Sequence, residues 1–179
     1  MAPRRRPKLE LRFDGSGRDR VAVATAGGRA AHIRLRVANG TGKDTADDVV
    51  VLVTEVRRLE DTTTTAEATP VGLPLVWSGS SPPLTVASVH PGSERHIDFV
   101  HIDLPAQDGE TPALQLDVSP KPASGHDKLV SGKSDISVEI RARNADSICY
   151  VIAVDWDGES SDKTAMWDHL RVQPPRKVR

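Results

Sequence analysis

The sequence is poor in cysteine and in aromatic residues. Of its 179 residues only 3% are aromatic, and Cys149 is the single cysteine. A disulfide within this chain is therefore excluded, and a hydrophobic core has to be built mainly from Val, Ile, Leu and Ala, which suits two thin packed sheets. Because Ile148, Tyr150, Val151 and Ile152 surround the thiol, we predict that Cys149 packs on a strand as an inert small hydrophobe.

The sequence also lacks a long hydrophobic run. The longest, residues 148–154, is far below the roughly 18 residues that a membrane span requires. Glu10, Arg12 and Asp14 follow the basic N-terminal residues, where an export signal would need an apolar stretch. These absences, together with the single cysteine, predict a cytoplasmic protein without a transmembrane segment.

Motifs of catalysis are missing as well. The sequence contains neither a G-x-S-x-G elbow nor a glycine loop that would cradle a phosphate, and no dinucleotide-binding fingerprint is present. The carboxylates are scattered along the chain as solubilising charge. The sequence therefore predicts a protein that is not an enzyme.

The strongest positive signal is the stretch of residues 33–56. Apolar and polar side chains alternate over residues 31–37, as in a strand with one dry face and one solvated face. Residues 49–53 are apolar on both faces, which indicates a central strand. The turn between the two runs contains Asn39, Gly40 and Gly42, so the whole stretch reads as a β-strand, a turn and a second β-strand.

Similar runs recur along the chain and are separated by turn residues. Eight to ten short strands at this spacing predict one all-β domain over residues 9–172, an antiparallel sandwich with long loops at residues 61–70 and 119–133. The predicted strands are residues 9–13, 21–24, 31–37, 49–56, 72–78, 84–89, 95–102, 114–118, 136–141 and 148–156, with residues 166–172 as a last strand or a short helix.

Both ends of the chain are basic and rich in proline. Residues 1–8 and 173–179 together hold seven of the 24 basic residues, which leaves 17 basic against 25 acidic residues in the body. We predict two disordered tails, because such segments offer little to bury. Contact with nucleic acid or an anionic surface is expected only through these tails, because the negatively charged body would repel phosphate groups.

Several of these segments resemble bacterial immunoglobulin-like modules of the cell-adhesion-related type. In those modules a strand that ends in V-x-N, with a glycine close behind, precedes a strand of the form a-x-x-v-x-v, and a P-G-S turn opens a later strand. Residues 37–40 (VANG), 45–51 (TADDVVV) and 89–93 (VHPGS) fit this pattern, as do the paired strands at 135–141 and 147–155. The resemblance implies an immunoglobulin-like sandwich and leaves the ligand open.

A histidine-rich strand is the first candidate for a metal site. His90, His96 and His101 occur there with Asp98 and Asp103. The two-residue period of a strand places His96 and Asp98 on one face and His101 on the other. No neighbouring strand supplies an obvious third ligand, so this pattern favours an ordinary solvated face over a zinc site.

A cluster of acidic residues in the sequence DWDGESSD is the second candidate. Asp155, Asp157, Glu159 and Asp162 offer the hard oxygen ligands that calcium requires. The Asp157-Gly158 pair is already explained as a turn between strands, and the spacing of an EF-hand loop is absent. The sequence therefore predicts no cofactor, with calcium at these four acids as the alternative.

The three tryptophans are the candidate ligand-binding residues. Trp77, Trp156 and Trp167 lie at or near predicted strand ends, and aromatic platforms often grip sugars and peptides. Tryptophans in sandwiches are more often core residues, so we expect most of the three to be buried.

Together these observations predict a non-catalytic immunoglobulin-like module that binds or scaffolds another protein through its loops or exposed strand edges. The partner could be a second copy of the chain. A carbohydrate-binding or calcium-stabilised sandwich is the alternative.

Overall fold

The computed structural model describes residues 5–25, 28–59, 68–104, 112–123, 125, 127–159 and 166–178. In this part of the chain the protein is all-β, as predicted, with one four-residue helix. The elements are β1 (Leu9–Arg12), β2 (Arg20–Thr25), β3 (Gly28–Asn39), β4 (Ala46–Leu59), β5 (Ala68–Pro74), β6 (Val76–Trp77), β7 (Ala87–Val89), β8 (Glu94–Leu104), β9 (Leu114–Leu116), β10 (Lys128–Leu129), β11 (Gly132–Ala142), β12 (Ala145–Trp156), α1 (Met166–His169), β13 (Leu170–Val172) and β14 (Arg176–Lys177).

The strands form two antiparallel sheets. Sheet 1 has the order β1-β3-β8-β9-β10, with β2 also paired to β3 and β6 to β8. Sheet 2 has the order β13-β12-β11-β4-β5, with β14 also paired to β12 and β7 to β4. The two sheets share one hydrophobic core, because alternate residues of each strand point toward the other sheet. In β3 these are Ile33, Leu35 and Val37, and in β11 they are Ile136, Val138 and Ile140.

The connection from β3 to β4 passes from one sheet to the other. The two strands flank the predicted turn, but β3 pairs with β8 in sheet 1 while β4 pairs with β11 in sheet 2. Asn39, which is buried, explains this course. Its Nδ2 atom donates hydrogen bonds to the carbonyls of Asp44 and Val89, and its Oδ1 atom accepts one from the backbone N–H of Lys8. A polar side chain therefore secures the crossing where a hairpin would have used backbone pairing.

A β-bulge interrupts the pairing of β3 with β8. Ile33 lies opposite Val100 and Arg34 lies opposite Asp98, so Phe99 has no partner residue on β3. Both Phe99 and Val100 are fully buried. A bulge of this kind shifts the alternation of side chains by one residue from that point on.

The C-terminal segment continues sheet 2. Residues 166–172 contain both structures that the sequence allowed, helix α1 and then β13. Within the segment predicted as a disordered tail, Arg176 and Lys177 form β14 and pair with Val151 and Tyr150 of β12. At the other end, the carbonyl of Lys8 accepts a hydrogen bond from the N–H of Gly40.

Two further features bear on the sequence predictions. Cys149 is exposed, contrary to the packing expected of it, because β12 turns Tyr150 and the even-numbered residues that follow toward the core. Among the described residues, no helix has both the length and the apolar character needed to cross a bilayer.

Candidate functional site

The outer face of sheet 1, the face turned away from the core, carries pairs of polar side chains. Arg34 on β3 lies opposite Asp98 on β8, and its Nε atom donates a 2.8 Å hydrogen bond to Asp98 Oδ1. His32 lies opposite His101 in the same two strands. These pairs occupy the middle of the sheet, where neighbouring strands on both sides hold the backbone in place.

Two of these side chains, His32 and His101, converge with Asp117 on one point, and the three residues form what we call the histidine–aspartate cluster. The Nδ1 atom of His101 lies 2.7 Å from Asp117 Oδ1, and the Nδ1 atom of His32 lies 3.2 Å from Asp117 Oδ2. The two imidazole rings are stacked with their centroids 5.2 Å apart. One carboxylate thus bridges two histidines through the same ring atom of each.

Each member of the cluster is positioned by a different part of the sheet. His32 follows from the regular alternation of β3, while the bulge at Phe99 turns His101 to the same outer face. Asp117 follows β9 and is fixed by its own backbone. Its N–H donates to the carbonyl of Phe99, and its carbonyl accepts from the N–H of Val76.

The electrostatics of the cluster favour an ionised carboxylate. Burial alone would raise the pKa of Asp117, but the hydrogen bonds and charges of His101 and His32 lower that pKa to about 2. Burial also disfavours the charged form of His101. The hydrogen bond to Asp117 and the charge of Asp117 outweigh this effect and raise the pKa of His101 above its ordinary value. Because an ionised carboxylate can only accept, both Nδ1 atoms carry a hydrogen and donate it to Asp117.

A cluster of two imidazoles and one carboxylate can hold either protons or a metal ion. The candidate ligand atoms of the three residues lie within 4.8 Å of one another. Imidazole and carboxylate are the ligand types that first-row divalent transition metals take in proteins. Of the three residues, only His101 is a candidate ligand in the sequence analysis. The prediction that His101 lies on the face opposite His96 and Asp98 is wrong, because the two-residue period of a strand takes no account of the bulge at Phe99.

The other histidines of the histidine-rich stretch take no part in this cluster. His96 faces outward opposite Arg36, and its Nε2 atom is buried without a hydrogen-bonding partner among the described residues. His90 is exposed and its Nδ1 atom lies 3.3 Å from Thr45 Oγ1. The structure therefore separates the three histidines that the sequence grouped.

A second charged group surrounds Arg36, which lies opposite His96 in the pairing of β3 with β8. The Nη2 atom of Arg36 donates hydrogen bonds to Asp14 Oδ2 at 2.7 Å and to Asp19 Oδ2 at 3.2 Å. The Nη1 atom of Arg36 lies 3.5 Å from Glu94 Oε1. Asp19 has no exposed surface. Three acids around one guanidinium compensate its charge, so this group holds the loop after β1 against sheet 1.

The tryptophans predicted as binding residues are mostly covered. Trp77 and Trp156 are buried in the core, and Trp167 is half-buried beside it. The guanidinium of Arg20 lies 5.6 Å from the centre of the Trp167 ring. Of the three, Trp167 alone retains an accessible surface of any size, and ligand binding there stays a prediction.

The residues predicted to hold calcium have other contacts. Asp157 Oδ2 lies 2.7 Å from His169 Nδ1, and Asp157 Oδ1 accepts the N–H of Glu159. Asp155 stands between Lys133 and Arg171 on the neighbouring strands. Asp162 lies outside the described residues. The structure does not bring the three described acids into a shared set of contacts, and the calcium site stays a prediction.

A polar cavity of about 840 Å³ lies beside the turn between β11 and β12. Arg143 is in ion-pair distance of Asp47 and of Asp48, and Arg6 of Asp146. Because these opposite charges are paired with one another, the cavity has no evident preference for an anion or a cation.

Comparison with known proteins adds no assignment. No protein-family model matches the chain, and no curated protein or solved structure is significantly similar to it.

Proposed function

We propose that the chain is a non-catalytic binding module of the immunoglobulin-like type, which docks a second protein chain by adding a strand to the edge of sheet 1 at β2. The strand order supports the fold. In an immunoglobulin domain, strands A, B, E and D form one sheet and strands G, F, C and C′ the other. Here the strand orders β1-β3-β8-β6 and β12-β11-β4-β5 match these two sheets. The eight matched strands also follow one another along the chain in the same sequence as strands A to G of an immunoglobulin domain.

The observation that carries the binding proposal is the character of β2. This strand pairs residue by residue with β3 from Arg20 to Thr25 without a bulge, and β3 is its one strand partner in the described chain. Residues 21–25 read VAVAT and contain no charge and no proline. An edge strand of this length and regularity exposes a row of unpaired backbone N–H and C=O groups, which is a template for another strand.

The other edges of the two sheets are protected in the ways that proteins commonly use. Strand β5 contains Pro70 and Pro74, and the exposed positions of β1 are the charged Glu10 and Arg12. The remaining edge strands are two or three residues long, and β14 is basic. Since proline, charge and short length all discourage strand addition, β2 is the edge that they leave open among the strands that the structure describes.

We assign a second copy of the chain as the occupant of this edge. Two β2 strands that pair antiparallel across a two-fold axis place Val and Ala opposite Val and Ala, with no like charges between residues 21 and 25. Such a pairing is self-complementary, as a two-fold interface must be. It would also continue sheet 1 from one copy into the next, which removes both exposed edges at once.

Lysine substitutions on β2 test the proposal. Ala22 and Ala24 are both exposed, so a lysine at either position can reach solvent in the monomer but places like charges close together across the two-fold axis. We expect the wild-type protein to dimerise with increasing concentration in sedimentation velocity, and the Ala22→Lys and Ala24→Lys variants to stay monomeric. Ala123→Lys, a charge added at another exposed alanine, is the matched control and should dimerise like the wild type.

Two results would count against this assignment. If the wild type stays monomeric at the highest attainable concentration, a second copy is not the occupant. If Ala22→Lys dimerises as well as Ala123→Lys, the copies associate through another surface.

A further inference from the structure

We propose that His32, His101 and Asp117 form a binding site for a divalent first-row transition metal ion, with Zn²⁺ as the ion to test first. The site is independent of strand addition at β2. It uses side chains on the outer face of sheet 1, whereas strand addition uses backbone groups at the edge of that sheet.

The spacing of the ligand atoms is the first support. The contacts from Asp117 to the two Nδ1 atoms measure 2.7 and 3.2 Å. Two ligands that bind one zinc ion at about 2.0–2.1 Å in a tetrahedral arrangement lie roughly 3.3 Å apart. The metal would thus take the place of the two Nδ1 hydrogens with small movements of the side chains.

The scaffold is the second support. His32 and His101 stand opposite each other on paired strands, and the backbone of Asp117 is hydrogen-bonded to Phe99 and to Val76. Sites on paired strands hold their ligands more precisely than sites on loops. The three ligands would therefore be largely in place before the metal arrives.

The surroundings are the third support. Metal-bound histidines usually donate their second ring N–H to a carboxylate or a carbonyl. When Nδ1 of His101 binds the metal, its hydrogen moves to Nε2, and Asp103 Oδ1 lies 3.9 Å from that atom. Gln115 Nε2 in turn donates to Asp103 Oδ2. A small rotation of Asp103 would complete this second contact.

Access and ligand type decide the class of ion. The side chains of His32, His101 and Asp117 keep 17%, 9% and 14% of their surface exposed, which leaves a route for the ion and room for water as a fourth ligand. Calcium and magnesium prefer six or more oxygens, so two imidazoles select against them.

The test uses the full chain without a histidine tag, freed of metal with a chelator. Zn²⁺ is titrated by calorimetry, and Co²⁺ is added separately because its visible absorption reports coordination by the protein. We expect one equivalent of Zn²⁺ to bind, Co²⁺ to give an absorption band, and the melting temperature to rise with Zn²⁺. The same titrations with Ca²⁺ should give no binding.

Variants locate the site. We expect His32→Gln to weaken Zn²⁺ binding by more than about tenfold, since the loss of even an outer partner costs a metal site that much. His90→Gln removes an exposed histidine elsewhere and should bind like the wild type. Asp117→Asn keeps the shape of its side chain and decides the matter if His32→Gln does not fold, which circular dichroism shows.

Three outcomes would overturn the proposal. The wild type could fail to bind Zn²⁺ at micromolar concentration, in which case the cluster holds protons alone. His32→Gln could bind as tightly as His90→Gln, or a folded Asp117→Asn as tightly as the wild type. Either of these would place the bound metal elsewhere on the chain.

Discussion

Asp19 and Arg36 form an ion pair beneath the surface of the outer face of sheet 1. Arg36 Nε lies 3.0 Å from Asp19 Oδ1, although this contact is poorly aligned for a hydrogen bond. The side chain of Asp19 is fully buried and that of Arg36 is 8% exposed. Removing one partner of such a pair leaves a buried charge that water cannot reach.

We therefore expect Asp19→Asn to lower the free energy of unfolding by about 3 kcal/mol, the lower part of the range for breaking a buried pair, because Asp14 and Glu94 still offset the charge of Arg36. Urea denaturation measures the change. Glu10→Gln breaks the exposed pair with Arg12 and should cost less than about 1 kcal/mol. Equal losses in the two variants would contradict the structural role of Asp19.

Asn39 should be the most sensitive polar residue of the crossing from β3 to β4. Its side chain satisfies three backbone groups, those of Lys8, Asp44 and Val89. Each buried group left without a partner costs about 1–3 kcal/mol, so we expect Asn39→Ala to cost roughly 3 kcal/mol in urea denaturation.

Asn144→Ala is the matched control for Asn39. Asn144 also bonds to the backbone, accepting from the N–H of Asp47 and donating to the carbonyl of Thr45, but it is half-buried and water can replace it. A loss in Asn144→Ala as large as that in Asn39→Ala would show that the crossing is not secured as described.

Burial of Tyr150 should make the folded protein less stable at alkaline pH. Burial raises its pKa above the ordinary value of about 10. The stability associated with this group is present below the pKa of the unfolded chain and is lost as pH rises through the folded pKa, because the unfolded state releases the proton first. We expect the free energy of unfolding to fall as the pH rises above about 10, the ordinary pKa of tyrosine. In the Tyr150→Phe variant the free energy of unfolding should fall less over the same pH range. An equal fall in the variant and the wild type would show that Tyr150 is not the group responsible.

Cys149 should react as an exposed thiol in the native protein. The side chain points away from the core, so a disulfide reagent such as Ellman's reagent should modify it without prior unfolding. The native rate should be close to the rate in denaturant at the same pH. A thiol that reacts only on unfolding would mean that the face of β12 is covered.

The regular strands can be predicted from the sequence, because successive side chains of a strand point to opposite faces and the apolar ones are buried. Ile33, Leu35 and Val37 face the core as their spacing predicts, and the hairpin of β11 and β12 follows from two alternating runs around a short turn. Pro74 lies on the edge strand β5, where its missing N–H is tolerated.

The candidate site does not follow from the sequence in the same way. Its geometry depends on the bulge at Phe99, which no local pattern announces, and on the pairing of β8 with β9, which brings Asp117 to His101. Local spacing carries no information on which strands will be neighbours. The sequence likewise predicts the two strands on either side of Asn39, but a turn sequence does not reveal whether the chain returns to the same sheet or crosses to the other one.

Hydrogen exchange at β2 tests whether a second copy of the chain adds a strand to the edge of sheet 1. Residues 20–25 are followed by mass spectrometry at low and high protein concentration, with β14 of sheet 2 as the internal reference. Strand addition by a second copy predicts that the outward N–H groups of β2 exchange more slowly at high concentration while β14 is unchanged. Exchange at β2 that does not depend on concentration, while sedimentation shows a dimer, would contradict strand addition at β2.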